Sequence, residues 1–196
     1  MLRADERPGA AYELGEQLTV VGRPLEVGEQ APDFTLETLE AASGALRTVR
    51  LTDTAGRVRL LNVVNSLDTP VCDVETRRLD ALRAALPADV HVYTISMDLP
   101  FAQARWCGAA GVGHQALSAH KDDEFGRAYG VLIKEWRLLQ RSVFVLDRAE
   151  RLVHVEYVAD QMAEPDYAAA LQSVMDAARR NRRSAHDRQA PHRKRM

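Results

Sequence analysis

Cysteine is nearly absent from this chain: 196 residues contain two, Cys72 and Cys107. Two are too few for a disulfide framework, so the fold must rest on its core. The thiols are then left for redox chemistry, metal binding or neither. There is no C-x-x-C pair, since Thr69 and Glu75 stand three positions either side of Cys72. The histidines, His91, His114, His120, His154, His186 and His192, include no H-x3-H pair on a predicted helix, so neither a metal nor a cofactor is expected. Phosphate-binding glycine loops, a dinucleotide fingerprint and a G-x-S-x-G element are all missing. No run of about 18 apolar residues exists, which excludes a membrane-spanning helix. The opening M-L-R-A-D-E-R-P-G-A lacks the apolar region of a secretory signal, and a cytoplasmic protein is expected.

What is present is organised around residues 61–78, L-N-V-V-N-S-L-D-T-P-V-C-D-V-E-T-R-R. The length fits one domain with a substantial core. Val58, Leu60, Leu61, Val63 and Val64 read as a buried strand, interrupted by the polar turn Asn65-Ser66-Leu67-Asp68. Thr69 is a helix N-cap candidate with Pro70 at the first helical position. Cys72 then falls at the third, among backbone N–H groups that have no helical partner. A helix N-terminus carries roughly +0.5 of an elementary charge. It stabilises a thiolate relative to a free cysteine, which ionises near ~8.5. Cys72 is therefore a candidate nucleophile; the competing reading is a small buried hydrophobe.

Residues 1–16 are polar and expected to be loosely ordered. A β-hairpin is expected over 18–27, where two apolar runs flank Gly22-Arg23. Short strands follow at 31–36 and 48–51. Helices at 71–86, 100–106, 122–129 and 164–178 alternate with strands at 90–97, 116–118, 142–146 and 152–158. Val71, Val74, Leu79, Leu82 and Leu86 make the apolar face of the first helix. This order gives an α/β architecture with a mixed sheet, and a redox cysteine at the first helix suggests a thioredoxin-like fold. Cys107 lies 35 residues beyond Cys72, in R-W-C-G-A. A disulfide needs Cα atoms about 4.4–6.8 Å apart, which two folded helices rarely offer, so joining these thiols requires a helix end to unwind. Gly108 and Gly111 favour that. By itself Cys107 reads equally as core filling beside Trp106. Arg141, just ahead of a strand, reads by itself as a surface residue.

Long ordered blocks carry a resemblance. S-L-D-T-P-V-C-D-V-E-T-R, T-I-S-M-D-L-P-F-A-Q-A-R-W-C-G-A, F-G-R-A-Y-G-V-L-I-K-E, R-S-V-F-V-L-D and E-P-D-Y-A-A-A-L together resemble the thiol peroxidase family, the atypical two-cysteine peroxiredoxins. The blocks run over roughly residues 17–176. The resemblance implies a thioredoxin-like mixed sheet flanked by helices, with an N-terminal β-hairpin. It implies reduction of alkyl hydroperoxides and hydrogen peroxide, with Cys72 as the peroxidatic and Cys107 as the resolving cysteine. Thr69 and Arg141 would stabilise the charge that develops at the thiolate and the leaving oxygen. The resulting intramolecular disulfide would be recycled by a thioredoxin-like reductant. A homodimer with the site near its interface is also implied, with Tyr93 and Trp136 as candidate interface aromatics. The alternative is a thioredoxin-fold redox sensor or binding protein with little turnover.

Two stretches depart from the family pattern. Asn65 stands where the family has Pro. A flexible polar side chain there implies a wetter pocket, and Asn65→Pro is expected to speed peroxide reduction. The chain holds 26 basic and 28 acidic residues; the last 18 residues hold eight and one of these, leaving a body of 18 and 27 with net charge −9. The domain is thus read as 17–178, with 179–196 a disordered basic tail. The tail is basic enough to touch nucleic acid but lacks interleaved aromatics.

Overall fold

The computed structural model describes residues 5–187, and for 181–187 the backbone alone. The elements in order are β1 (Glu6–Glu13), β2 (Glu16–Val21), β3 (Thr35–Leu39), β4 (Leu46–Arg50), β5 (Val58–Val63), α1 (Pro70–Arg83), β6 (Val90–Ser96), α2 (Pro100–Ala110), β7 (Gln115–Ser118), α3 (Glu124–Ala128), β8 (Leu132–Ile133), β9 (Leu138–Leu139), β10 (Ser142–Leu146), β11 (Leu152–Tyr157) and α4 (Tyr167–Asp187). Seven strands form one mixed sheet in the order β11-β10-β5-β6-β7-β3-β4. β5 pairs parallel with β6 and antiparallel with β10. All six residues of β5 are buried, as a strand covered on both faces requires.

Alternation along the central strands separates two cores. Val58, Leu60, Val92, Val143 and Val145 face Leu79 of α1 and Tyr167, Ala170 and Val174 of α4. Leu61, Val63, Ile95 and Phe144 face the other way, against Phe34, Phe125 and Tyr129. Most of the buried aromatics gather on this second face. Phe125 stacks on Tyr129 at 4.5 Å, and Phe144 meets Tyr129 and Tyr157 edge-on at 5.3 and 5.5 Å. Such pairs add about 0.5–1.5 kcal/mol each beyond the area they bury.

The N-terminal hairpin exists but is displaced from residues 18–27. Its strands are β1 and β2, so residues expected to be loosely ordered contain a full strand. The turn is Leu14-Gly15, both at positive φ (48° and 90°), as a two-residue hairpin loop demands. Gly22 serves packing instead. Its φ is +99°, and a Cβ there would lie 2.2 Å from the Arg127 carbonyl oxygen, so the backbone needs glycine for contact with the end of α3. Gly22→Ala is expected to destabilise the protein by roughly 3 kcal/mol, read as a lower urea midpoint with unchanged slope. A shift under ~0.5 kcal/mol would mean that the α3 end gives way freely.

β8 and β9, not foreseen from the sequence, add to β2 and complete a small sheet in the order β1-β2-β8-β9. The last helix, expected to stop at 178, continues to Asp187; the basic stretch beyond it lies outside the described residues. Tyr93, a candidate interface aromatic, is 2% exposed in the core, while Trp136 is half-buried against the N-terminal hairpin. Among the described residues no helix is long and apolar enough to cross a membrane.

Candidate active site

The site forms beyond the carboxyl ends of the parallel strands, where α/β sheets commonly bind ligands. β5 ends at Val63, and residues 64–69 lead into α1. Asp98, just past the end of β6, ties this loop down. Its carboxylate accepts hydrogen bonds from Ser66 Oγ at 2.7 Å, Leu67 N at 2.8 Å and Ser96 Oγ at 2.8 Å. Thr69 occupies the N-cap with extended backbone, and Pro70 opens the helix. The Thr69 hydroxyl does not cap a helical N–H; it donates to the Ser66 carbonyl at 2.9 Å.

Two turns of α1 then present Cys72, Glu75, Thr76 and Leu79 inward, the i, i+3, i+4, i+7 stripe of a helix face. Val74, expected on the apolar face, is 55% exposed because the buried stripe lies elsewhere on the helix. Cys72 is fully buried. Arg141 reaches it from β10. Ser142 pairs with Val63, so Arg141, one residue earlier, arrives beside the loop after β5. Its Nη1 donates to Cys72 Sγ at 3.4 Å and pairs with Glu75 Oε2. Its Nη2 donates to the Gln161 carbonyl at 2.8 Å and to Asn65 Oδ1 at 3.3 Å. Its Nε has no protein acceptor. Arg141 is 1% exposed, so a surface location is ruled out.

Burial pushes the Glu75 carboxyl up to about 7, against the pull of the Arg141 guanidinium and a hydrogen bond from Tyr167. Burial also works against the charge on Arg141, but Glu75 and Cys72 outweigh it and hold that group above its usual range. The guanidinium is therefore a permanent cation at the sulfur.

Asn65, Thr69 and Arg141 line a pocket of ≈ 310 Å³ whose remaining wall is largely apolar, with Val71, Trp136, Leu138 and Met162. Asn65 is not the flexible polar group expected of it. It is buried, and its Nδ2 donates to the Leu139 carbonyl at 2.6 Å and to Gln161 Oε1 at 3.0 Å.

Cys107 is half-buried on α2 and packs, with Trp106, against the cluster of Val64, Leu67, Cys72 and Ala116. Both thiols are free. Burial, reinforced by Asp80, pushes the Cys107 thiol up, so in this conformation it is a poor nucleophile. A latch holds the two cysteine-bearing helices together. Trp106 Nε1 and Arg77 Nε each donate to Asp73 Oδ1 at 3.1 Å, and Arg77 Nη1 donates to the Ala110 carbonyl at 3.1 Å. Arg77 also lies over the Trp106 ring, 5.4 Å from its centroid. α2 ends at Gly111, with φ 67°.

Glu75, Asp98 and Gln161 were missed as site residues in the sequence. Glu75 alone had a readable signal, as a carboxylate three residues from Cys72 on the same helix face. The other two join the site only through tertiary contacts. Among the described residues no group of three or more potential metal ligands occurs.

Comparison with known proteins agrees with this geometry. Residues 26–171 match the Redoxin family model. The thiol peroxidase of Bacillus subtilis (strain 168) is 49% identical over 161 residues, 82% of this chain and 93% of that protein. A thiol peroxidase of Halalkalibacterium halodurans is 44% identical over 164 residues, 83% and 95% of the two chains. Among solved structures, a peroxiredoxin-like protein from Aquifex aeolicus superposes with TM-score 0.75 at 29% identity, covering 89% of this chain and 98% of the other. The thiol peroxidase from Chromobacterium violaceum has the same fold, with TM-score 0.76 at 20% identity and coverage of 87% and 97%. The catalytic reading is thereby favoured over the sensor reading, and the chain belongs to the thiol peroxidase family, peroxiredoxin-type oxidoreductases on a thioredoxin-like fold.

Proposed function

We propose that the protein reduces hydroperoxides with Cys72 as the peroxidatic and Cys107 as the resolving cysteine. The observation that carries this reading is the buried Arg141 guanidinium 3.4 Å from Cys72 Sγ at the start of a helix. A hydroperoxide enters between Val71, Trp136, Leu138 and Met162, its carbon skeleton against these side chains and its oxygens toward Arg141. The Cys72 thiolate attacks the distal oxygen. The S–O bond forms as the O–O bond breaks, and sulfur is oxidised to the sulfenic acid. The leaving oxygen departs as alkoxide or hydroxide and takes a proton to become alcohol or water. Arg141, the Thr69 hydroxyl and the N–H groups at the start of α1 stabilise its charge.

The start of α1 and the end of α2 then part, and Cys107 attacks the sulfenic sulfur. An S–S bond forms and water leaves. A thioredoxin-like dithiol reduces the disulfide, which puts the protein in a reducing compartment such as the cytoplasm. A homodimer is the assembly this reading carries. The test is peroxide consumption with a thioredoxin system, followed by peptide mass of the oxidised chain. Multiple turnover with a Cys72–Cys107 cross-link is expected. One oxidation per chain without a cross-link would overturn the resolving step.

A further inference from the structure

We propose that Asn65 and Gln161 form an amide clamp that holds Arg141 against Cys72, making both of them positioning residues for peroxide reduction. The inference rests on the roles proposed above for Cys72 and Arg141. Gln161 is 1% exposed and every hydrogen bond it makes runs within one network. Its Oε1 accepts from the Arg141 backbone N–H at 3.0 Å and from Asn65 Nδ2 at 3.0 Å. Its Nε2 donates to the carbonyls of Val158 at 2.7 Å and Ala159 at 3.1 Å. Its own carbonyl accepts from Arg141 Nη2 at 2.8 Å. Gln161 therefore grips Arg141 at both the backbone and the guanidinium.

Asn65 closes the other side. Its Nδ2 faces two oxygens, and its Oδ1 faces the Arg141 guanidinium. Neither amide can be turned over without setting donors against donors or oxygens against oxygens, so the orientation of each is determined. The network is anchored in turn by the N-terminal hairpin. Tyr12 N donates to the Ala159 carbonyl at 2.8 Å, and Gln161 N donates to the Tyr12 carbonyl at 2.9 Å.

Position explains why this matters for chemistry. A guanidinium on a four-bond tether loses considerable rotamer freedom when it must meet a developing anion. Fixing its plane beforehand is the preorganisation on which electrostatic stabilisation depends. Both Nη groups are engaged, and Nε, in a side chain that lines the pocket, is left without a protein acceptor. Held in this way, Arg141 keeps Nη1 on the sulfur. An unclamped Arg141 would be held by Glu75 and the Cys72 sulfur alone, both on Nη1, and the plane of the guanidinium could turn about that side.

The test replaces the amides with apolar side chains of similar size, Gln161→Met and Asn65→Leu, alone and with Arg141→Leu. Single-turnover oxidation of Cys72 is expected to slow about tenfold in Asn65→Leu, which loses its hydrogen bond to the guanidinium, and in Gln161→Met, which keeps its own carbonyl on Arg141 Nη2 but releases the Arg141 backbone N–H and the Asn65 amide. In the Arg141→Leu background the same substitutions are expected to change the rate by less than about twofold, because the group they position is gone. Full effects persisting there would overturn the clamp. Asn65→Pro, expected from the sequence to speed the reaction, is expected to slow it.

A second readout does not depend on activity. In side-chain nitrogen NMR, the Arg141 Nη protons are expected to exchange slowly in the unsubstituted protein and to average in Asn65→Leu, which removes an acceptor from Nη2. Slow exchange surviving in that variant would sink the clamp, whatever the rates. Averaged protons with an unchanged oxidation rate would refute its positioning role. If Cys72 of the unsubstituted protein fails to reduce peroxide, the proposed function falls, and the proton exchange still decides whether the amides hold Arg141.

Discussion

Serine in place of Cys72 is expected to abolish peroxide consumption, and serine in place of Cys107 to permit one turnover per chain and then stop. The two outcomes differ because the thiols sit in different surroundings. Cys72 is against a permanent cation and at a helix start, and a serine hydroxyl there stays protonated and is no nucleophile toward an O–O bond. Cys107 lies in a site where burial and Asp80 keep it a thiol, so it contributes nothing to the first step. Without it the Cys72 sulfenic acid has no internal partner. It persists, or moves to sulfinic acid under excess peroxide. Intact mass after one equivalent of peroxide should show a single added oxygen in Cys107→Ser and none in Cys72→Ser. Steady turnover of Cys107→Ser with a thioredoxin system would remove its resolving role. Residual turnover in Cys72→Ser would move the nucleophile elsewhere.

The step between these half-reactions is conformational. Joining the sulfurs means breaking the Asp73–Trp106 and Arg77–Ala110 hydrogen bonds and withdrawing the loop that Asp98 holds. Each bond is individually weak, about 0.5–1.5 kcal/mol net. The fold thus keeps Cys72 seated for the peroxide and still allows the helix ends to open. Opening also removes the burial that keeps Cys107 protonated, so the resolving thiol gains nucleophilicity as it becomes able to reach its target.

The helix carrying Cys72 was legible because local rules define it. A buried β-branched strand, a polar turn and Thr-Pro leave few alternatives, and β5 and α1 lie where those rules put them. Arg141 was legible only through resemblance. Its approach to the sulfur depends on β10 lying antiparallel beside β5 in the register that pairs Ser142 with Val63, and no local signal in either strand states that pairing. The hairpin was misplaced because Gly22 looks like a turn glycine, while its actual role, contact with the carbonyl of Arg127, lies 105 residues away in sequence. Asn65 was misread for a related reason. A polar residue in a loop reads as solvated, and only the distant Gln161 and Leu139 make it a buried, fully bonded one.

Arg141→Leu is expected to slow Cys72 oxidation about 10²–10³-fold, the usual cost of removing a donor aimed at a developing oxyanion. The substitution also leaves Glu75 buried without its cation, a loss of about 3 kcal/mol in stability where that carboxylate is charged. The two effects separate by pH. The Glu75 carboxyl in the folded protein titrates at about 7, above its ordinary 4.5, because burial disfavours its charge. A carboxyl raised on folding contributes stability that is complete below 4.5 and is lost as pH climbs through about 7. For this group the loss is about 3 kcal/mol. Urea midpoints between these pH values should therefore fall in the unsubstituted protein, and Glu75→Gln should remove that component of the slope. In Arg141→Leu the fall should extend to higher pH, since nothing then offsets the burial. The double variant Glu75→Gln, Arg141→Leu carries no unpaired carboxylate, so its stability should be free of this component of pH dependence while its oxidation rate stays 10²–10³-fold down. A double variant that recovers the rate would mean that Arg141 serves only to neutralise Glu75. A rate that stays low in a stable protein would leave the guanidinium acting on the peroxide itself.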